Sequence, residues 1–185
     1  MELSRFGSFL RGLFCLILIG ILSLTSADPG NTAESASQQT VNRIIISLED
    51  FQLLAFEGNR LVGAYPIATG ADTAPTPTGE FEIVNKLKHP WYTPDDKPAK
   101  APGPNNPLGS RWMGIDKPSY GIHGTRSPKE IGSRASEGCI RLFNMHVEEL
   151  YDMIKIGARV IVKESLSPTD RQIVNLKFPD LESSS

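Results

Sequence analysis

The chain has 185 residues, of which 39% are hydrophobic and 22% are charged, and its formal net charge at pH 7 is −2. That length is enough for one ordinary domain with its own hydrophobic core. The slightly acidic balance argues against DNA or RNA as a partner, because nucleic-acid-binding domains present basic faces.

Residues 1–27 have the pattern of a secretory signal peptide. Arg5 and Arg11 give a positive start, an apolar run follows, and Ala27 ends a small-residue cleavage site. The apolar run is shorter than the roughly 20 residues that cross a bilayer, which disfavours the alternative of an uncleaved membrane anchor. Cleavage would leave Cys139 as the only cysteine. We therefore expect a secreted chain that touches the membrane only if the leader is retained.

Short predicted strands dominate the next part of the chain. Residues 28–40 are small and polar with no apolar period, which is typical of a flexible tether. β-branched runs separated by tight polar turns then predict an antiparallel meander and one further strand. These predicted strands lie at residues 43–48, 51–56, 60–69 and 79–87.

A proline-rich segment, residues 88–110, interrupts the strands. Long loops without secondary structure in compact domains are either functional lids and walls or disordered linkers. Because this loop carries Trp91 and Tyr92, we expect it to form a lid or the wall of a groove. Two short strands are predicted after it, at residues 111–115 and 119–122.

One helix is predicted in the C-terminal part, with Asn144 as a suitable N-cap. Its apolar positions keep a helical period: Val147, Leu150, Tyr151 and Ile154. A strand at residues 158–163 follows, and Ser167-Pro168 predicts one further short helical turn. The sequence therefore predicts a mainly β domain over residues 41–163 with one packed helix, and a C-terminal extension over residues 164–185.

Cys139 would be a lone thiol in an oxidising compartment. Three roles are possible for it: an intermolecular disulfide, an inert buried thiol, or a reactive nucleophile. Its neighbours favour reactivity. His123 precedes it in the same stretch, and a cysteine with a histidine is the minimal pair for nucleophilic acyl transfer, with thiolate at neutral pH. Gly138 suits a sharp turn that aims backbone N–H groups as an oxyanion hole, and the carbonyl of Gly124 could fix the imidazole tautomer.

Two polar side chains beside Cys139 are further candidates. Arg141 would project to the same side of an extended segment and suits a substrate carboxylate, with an ion pair to Glu148 or Glu149 as the equal alternative. Ser136 could hydrogen-bond within the site, or it could simply be a turn residue.

Trp112 and Tyr120 could line a cleft or pack in the core. A zinc site built from Cys139, His123 and His146 matches no established ligand spacing, so we expect no metal.

Five motifs occur in a fixed order: PTPTGEF at 75–81, NPLG at 106–109, WMGI at 112–115, YGIHGT at 120–125 and SEGCIR at 136–141. Together they resemble the L,D-transpeptidase (YkuD-type) catalytic domain, and the resemblance covers about residues 43–163. One departure is Glu137, where many members have histidine. Its negative charge would raise the thiol pKa slightly.

The resemblance implies a YkuD-like β-sandwich with its cysteine in a loop-borne cleft, acting on peptidoglycan without a cofactor. Cys139 would attack a tetrapeptide stem, release D-alanine, and pass the acyl group from a thioester to an amine acceptor. His123 would be the base, oriented by the carbonyl of Gly124, and the N–H groups of Gly138 and Cys139 would hold the oxyanion. The candidate substrate contacts are Arg141, Ser136, Trp112 and Tyr120.

The same acyl-enzyme chemistry leaves other outcomes open, namely hydrolysis as an L,D-carboxypeptidase or attachment of a protein to the stem. A non-catalytic wall-binding module and a structural domain with a buried thiol are the remaining alternatives. The implied enzyme is a monomer in the periplasm or cell wall, with peptidoglycan stem peptides as its partner.

Overall fold

The computed structural model describes residues 39–178. The predicted leader and all but the last two residues of the predicted tether lie outside the described residues. Within them the elements are β1 (Val41–Ser47), β2 (Gln52–Glu57), β3 (Arg60–Pro66), β4 (Thr69–Gly70), β5 (Gly79–Lys88), β6 (Arg111–Ile115), β7 (Gly121–His123), a 3₁₀ helix (Pro128–Glu130), β8 (Arg134–Ser136), β9 (Ile140–Arg141), α1 (Asn144–Met153), β10 (Ile154–Lys163) and α2 (Pro168–Lys177).

Strands dominate the described part of the chain, which confirms the mainly β class. One sheet has the order β3-β2-β1-β10-β5-β6-β7-β9, and β4 pairs with β8 in a second, two-stranded sheet. The predicted meander is confirmed, because β2 pairs antiparallel with both β1 and β3. Strand β10 lies parallel to β1, with Ile44 beside Val160, and thereby joins the meander to the half of the sheet that carries β7 and β9.

Strand β1 is buried on both faces, which explains its run of three isoleucines. Ile44 and Ile46 belong to the main core, whereas Ile45 faces a second cluster that includes Leu166 and Val174. A strand covered on both faces favours continuous apolar residues over alternation. Burying each such side chain contributes about 1.5–3 kcal/mol.

The second cluster corrects two expectations about the C-terminal segment. Residues 164–178 are part of the folded domain and do not merely extend it, because α2 covers the outer face of the meander. The helix is also longer than the single turn expected. It begins after Ser167, whose Oγ accepts from the N–H of Asp170 at 3.1 Å, with Pro168 in the first turn.

Helix α1 confirms the predicted helix, with two corrections. Phe143, not Asn144, occupies the N-cap position, and no side chain caps the helix there. The helix ends at Met153 because Ile154 already begins β10. Lys86 Nζ donates 2.6 Å hydrogen bonds to two carbonyls at this end, including that of Ile154.

Neither helix within residues 39–178 has the length and apolar character needed to cross a membrane.

Candidate active site

The turn that carries Cys139 is fixed by Gly138 and Ser136. Gly138 has φ +106°, and a Cβ on it would lie 2.6 Å from a ring carbon of Tyr120, so the close approach requires glycine. Ser136 is buried. Its Oγ accepts from the Gly138 N–H at 3.0 Å and donates to the Cys139 carbonyl at 2.5 Å. These bonds brace the turn, in agreement with the alternative that Ser136 is a turn residue. A contact between Ser136 and the substrate stays a prediction.

Cys139 is partly exposed at the end of this turn and has no disulfide partner within residues 39–178. Its Sγ lies 3.5 Å from the carbonyl oxygen of Ser119, a residue held at φ +66° in the loop before β7. A left-handed non-glycine residue is a strained feature that often marks functional sites. The sequence could not predict this contact, because no local sequence pattern indicates which carbonyl lies beside the thiol.

His123 ends β7 and faces the segment that follows Cys139. It is paired with Arg141 across the parallel β7–β9 ladder. Its imidazole is 3% exposed, stacks on Trp112 with ring centroids 5.7 Å apart, and has Nδ1 2.6 Å from the carbonyl oxygen of Gly124. A carbonyl can only accept, so Nδ1 carries the proton and Nε2 is the basic atom.

Burial shifts the pKa values of the thiol and the imidazole in the directions that favour their neutral forms. Burial raises the pKa of the Cys139 thiol, an effect to which Glu137 adds and which Arg141 opposes. Burial lowers the pKa of His123 to about 4, with the positive charge of Arg141 as a smaller cause in the same direction. The direction of both shifts favours a protonated thiol over the thiolate expected from the sequence, because desolvation exceeds the effect of nearby cations. The predicted effect of Glu137 on the thiol has the expected sign.

Arg141 lies at the cleft and is anchored from outside it. Its Nη1 forms a short ion pair with Glu130 and also donates to the Ala135 carbonyl at 3.3 Å. The predicted alternative, an ion pair with Glu148 or Glu149, is wrong, since the carboxylate comes from the 3₁₀ helix that precedes the turn.

These residues open onto a cleft of about 580 Å³. Cys139, His123 and Arg141 line it, together with Trp112 and Tyr120, as the cleft interpretation of those two aromatic residues predicted. The proline-rich loop supplies the opposite wall, as expected. Its lining residues are Pro90, Trp91, Tyr92, Thr93, Pro94, Asp95, Pro107 and Leu108.

Asn106 holds that wall in place, a role that the sequence analysis missed. The side chain is buried, and its Nδ2 donates to the carbonyls of Pro90 at 2.8 Å and Ala101 at 3.2 Å. Its Oδ1 accepts from the Leu108 N–H at 2.8 Å. The sequence does not show that Asn106 is buried inside the loop. By itself, Asn-Pro in a proline-rich segment predicts only a turn.

Asn144 is a second residue whose role the sequence did not indicate. Its Oδ1 accepts from the N–H groups of Ser110 at 3.2 Å and Thr125 at 3.3 Å, and its Nδ2 donates to the Thr125 carbonyl at 2.9 Å. It thus clamps the end of the proline-rich loop to the chain just after His123 and Gly124. Its expected use as a helix cap is replaced by this tertiary contact.

Within residues 39–178, no three His, Cys, Asp or Glu side chains are grouped so that they could hold a metal ion. His146 instead packs against the rings of Tyr65 and Phe143, with centroids 5.4 Å away in each case.

Comparison with known proteins identifies the class to which this fold and cleft belong. A family model described as the L,D-transpeptidase catalytic domain (YkuD) matches residues 41–162. A Bacillus licheniformis protein named “Putative L,D-transpeptidase YkuD” is 41% identical over 120 residues, covering 65% of this chain and 64% of that protein. A Bacillus subtilis protein named “Putative L,D-transpeptidase YqjB” is 36% identical over 126 residues, covering 65% and 70%.

Solved structures agree. The NMR structure of the catalytic domain of an E. faecium L,D-transpeptidase matches with a TM-score of 0.53 and 28% identity, covering 69% of this chain and 99% of that one. The fold and site define a mainly β domain with a cysteine and a histidine in one surface cleft. The chain belongs to the L,D-transpeptidase (YkuD) family. Its match spans less than two thirds of the length of the Bacillus licheniformis relative.

Proposed function

We propose that this protein is a peptidoglycan L,D-transpeptidase that works through a Cys139 acyl-enzyme. The observation that supports this most directly is that Cys139 and His123 line one cleft, while Nδ1 of His123 is occupied by the carbonyl of Gly124. Nε2 of a neutral imidazole is then the candidate general base that a protonated thiol requires.

The first half-reaction forms the acyl-enzyme. The Sγ of Cys139 attacks the carbonyl carbon between the third and fourth residues of a tetrapeptide stem, and His123 Nε2 takes the thiol proton. The tetrahedral intermediate collapses with cleavage of the C–N bond. His123 returns the proton to the leaving amine of D-alanine, and a thioester on Cys139 remains.

The second half-reaction transfers the acyl group. An amine acceptor attacks the thioester carbonyl, His123 takes a proton from that amine, and the sulfur leaves and is reprotonated. With water as acceptor the same steps give an L,D-carboxypeptidase, and with a protein amine they attach that protein to the wall. Peptidoglycan stem peptides are the proposed partner in every case.

The oxyanion of each intermediate needs backbone donors near Cys139. We assign this role to the N–H of Cys139 itself. The N–H of Gly138 already donates to Ser136 Oγ, so it would contribute only if that 3.0 Å bond opened when substrate binds. Trp112, Tyr120 and Arg141 line the cleft and are the proposed substrate contacts.

Intact-mass spectrometry with a carbapenem tests the assignment of the nucleophile. A second NMR structure is that of the E. faecium catalytic domain acylated by ertapenem. We expect ertapenem to add one equivalent to this protein at Cys139, to add none to Cys139→Ala, and to react more slowly with His123→Ala. An adduct that survives in Cys139→Ala would refute the assignment, because another side chain would then be the nucleophile. A folded wild-type protein that forms no adduct would favour a non-catalytic wall-binding module.

Muropeptide analysis of products then separates the acceptors. Crosslinked dimers support transpeptidation, shortened tripeptide stems support hydrolysis, and stems joined to a protein support attachment. A folded wild-type protein that forms none of these products would exclude all three.

We also propose that the protein acts outside the cytoplasm, in the periplasm or cell wall, as a monomer. Cell fractionation of the full chain, with and without residues 1–27, should place only the leader-bearing form outside the cytoplasm. Light scattering of the secreted form should give the mass of one chain, and a dimer mass would contradict the monomer.

A further inference from the structure

Among residues 39–178, Glu130 contacts the candidate active site through Arg141 alone. Asp95, Glu137 and Arg141 are the charged residues among those that line the cleft, apart from neutral His123, so Arg141 is its one permanent cation within the described residues. Glu130 forms a short ion pair with Nη1 of this arginine. The side chain of Arg141 is 19% exposed and that of Glu130 is 36% exposed, so the pair is only partly screened by water.

Both partners of this pair have a fixed backbone. The main chain of Arg141 exchanges two hydrogen bonds with Ala68, at 3.0 and 2.9 Å, and its Cα is in register with His123. The N–H of Glu130 donates to the Ser127 carbonyl at 3.1 Å, and its own carbonyl accepts from Ser133 Oγ at 2.7 Å. A charge pair between two rigid segments holds a guanidinium at one place, which a flexible surface pair does not.

The guanidinium has few hydrogen-bond acceptors besides Glu130. Nη1 has one further acceptor, the Ala135 carbonyl, and Nε is buried without an acceptor among the described residues. Glu130 therefore supplies the one carboxylate that neutralises Arg141 within residues 39–178. If the charge of Glu130 were removed, the positive charge of Arg141 would act on the nearby thiol and imidazole without compensation.

We propose that Glu130 is a positioning residue for the reaction, holding the Arg141 guanidinium at the cleft beside His123 and setting, through Arg141, the electrostatic field at Cys139. This inference deepens the proposed function, because it concerns the same site. The groups whose charge faces the thiol are Glu137 on its own turn and Arg141 on β9, with neutral His123 on β7.

Alkylation of Cys139 by iodoacetamide as a function of pH tests this without any peptidoglycan substrate. In Glu130→Gln the amide oxygen can accept from Nη1 but no longer holds the guanidinium by charge, so Arg141 can move toward a thiolate at Cys139. The alkylation midpoint should then fall by a few tenths of a pH unit. Arg141→Gln should raise the midpoint, and adding Glu130→Gln to Arg141→Gln should shift it much less than in the wild-type background.

Glu80→Gln is the matched control, since it breaks a 2.6 Å carboxylate–arginine pair with Arg159 that involves no cleft residue. It should leave the midpoint unchanged. An unmoved midpoint in Glu130→Gln, or an equal shift with and without Arg141, would overturn the proposal. Should Glu130→Gln not fold, Glu130→Asp replaces it: its shorter side chain withdraws the carboxylate from Nη1, and the midpoint should again fall.

These outcomes are separable from those of the proposed function. A protein that forms no peptidoglycan product but shows the Arg141-dependent shift would refute the proposed function and keep the role of Glu130. A protein that forms ertapenem adducts and crosslinks but shows no shift would support the proposed function and refute the role of Glu130.

Discussion

Nδ1 of His123 lies 2.6 Å from the carbonyl oxygen of Gly124, the residue that follows it in the chain. A buried imidazole held in this way has one tautomer, with its basic nitrogen directed away from the backbone carbonyl. Because burial also keeps the ring neutral, the base does not depend on an ion pair with the thiolate.

The pH dependence of ertapenem acylation should follow from this neutral base. The pKa of His123 is lowered to about 4, so the rate should fall with a midpoint near pH 4 as the pH decreases, because the protonated ring cannot accept the thiol proton. Rates measured by intact mass between acidic and neutral pH will give the midpoint, with circular dichroism to confirm that the domain remains folded. A midpoint at or above 6.5, the ordinary value for histidine, would contradict the buried neutral base.

Gly138 is predicted to be irreplaceable at the Cys139 turn. Gly138→Ala would combine a φ of +106° with a Cβ 2.6 Å from the Tyr120 ring. We expect a loss of about 1–3 kcal/mol in unfolding free energy from backbone strain, and a fall of about 100-fold in acylation rate as the sulfur moves. Urea unfolding and the acylation assay measure the two effects.

Gly132→Ala is the control for that substitution. Gly132 has φ +89° but open space where a Cβ would stand, so it should show the strain and keep the acylation rate. Equal losses of activity in both variants would mean that the contact with Tyr120 is not what fixes the turn.

The meander was predictable from the sequence because its signals are local. β-branched runs and tight polar turns specify β1, β2 and β3 without reference to the rest of the chain. Strand β10 is different: its parallel place beside β1 pairs Ile44 with Val160, and no local pattern encodes that partner. Helix α2 was underestimated for a related reason, since its few apolar residues form a helix face only against the meander.

In the candidate site, the sequence predicted which residues would react but not which residues support them. The cysteine, the histidine and the glycines beside them follow from what acyl transfer requires. The supporting residues Asn106, Asn144 and Glu130 are ordinary turn or surface types, and only the tertiary fold places them behind the residues that line the cleft or that follow these in the chain. Arg141 illustrates the limit, because the sequence offers several acidic residues nearby and the 3₁₀ helix decides that Glu130 is the partner.

Asn144 should support His123 at a distance through the chain that follows it. Asn144→Ala removes three hydrogen bonds made with residues 110 and 125, which the side chain joins. We expect a loss of about 1–2 kcal/mol in unfolding free energy, because the exposed side chain leaves water free to replace part of each bond. Acylation should slow as the Gly124 carbonyl loses its fixed position.

Asn144→Asp, which keeps the double acceptor Oδ1, should recover part of the loss in acylation rate. Met145→Ala, at the next and largely exposed residue, should change neither stability nor rate. A normal rate in Asn144→Ala would show that the clamp serves the fold alone.

The balance between transfer and hydrolysis should depend on Asn106. Its buried side chain ties Pro90, Ala101 and Leu108 together. Asn106→Ala would leave the buried Pro90 carbonyl without this donor and release the wall that carries Trp91. A loosened wall admits water to the thioester, and water then competes with the amine acceptor. Muropeptide analysis should show more shortened stems relative to crosslinked dimers, while ertapenem still acylates Cys139.

Asn105→Ala, at the exposed neighbouring position, should keep the wild-type ratio. An unchanged ratio in Asn106→Ala, with a wall shown to be mobile by increased hydrogen exchange, would exclude the loop as the element that keeps water out.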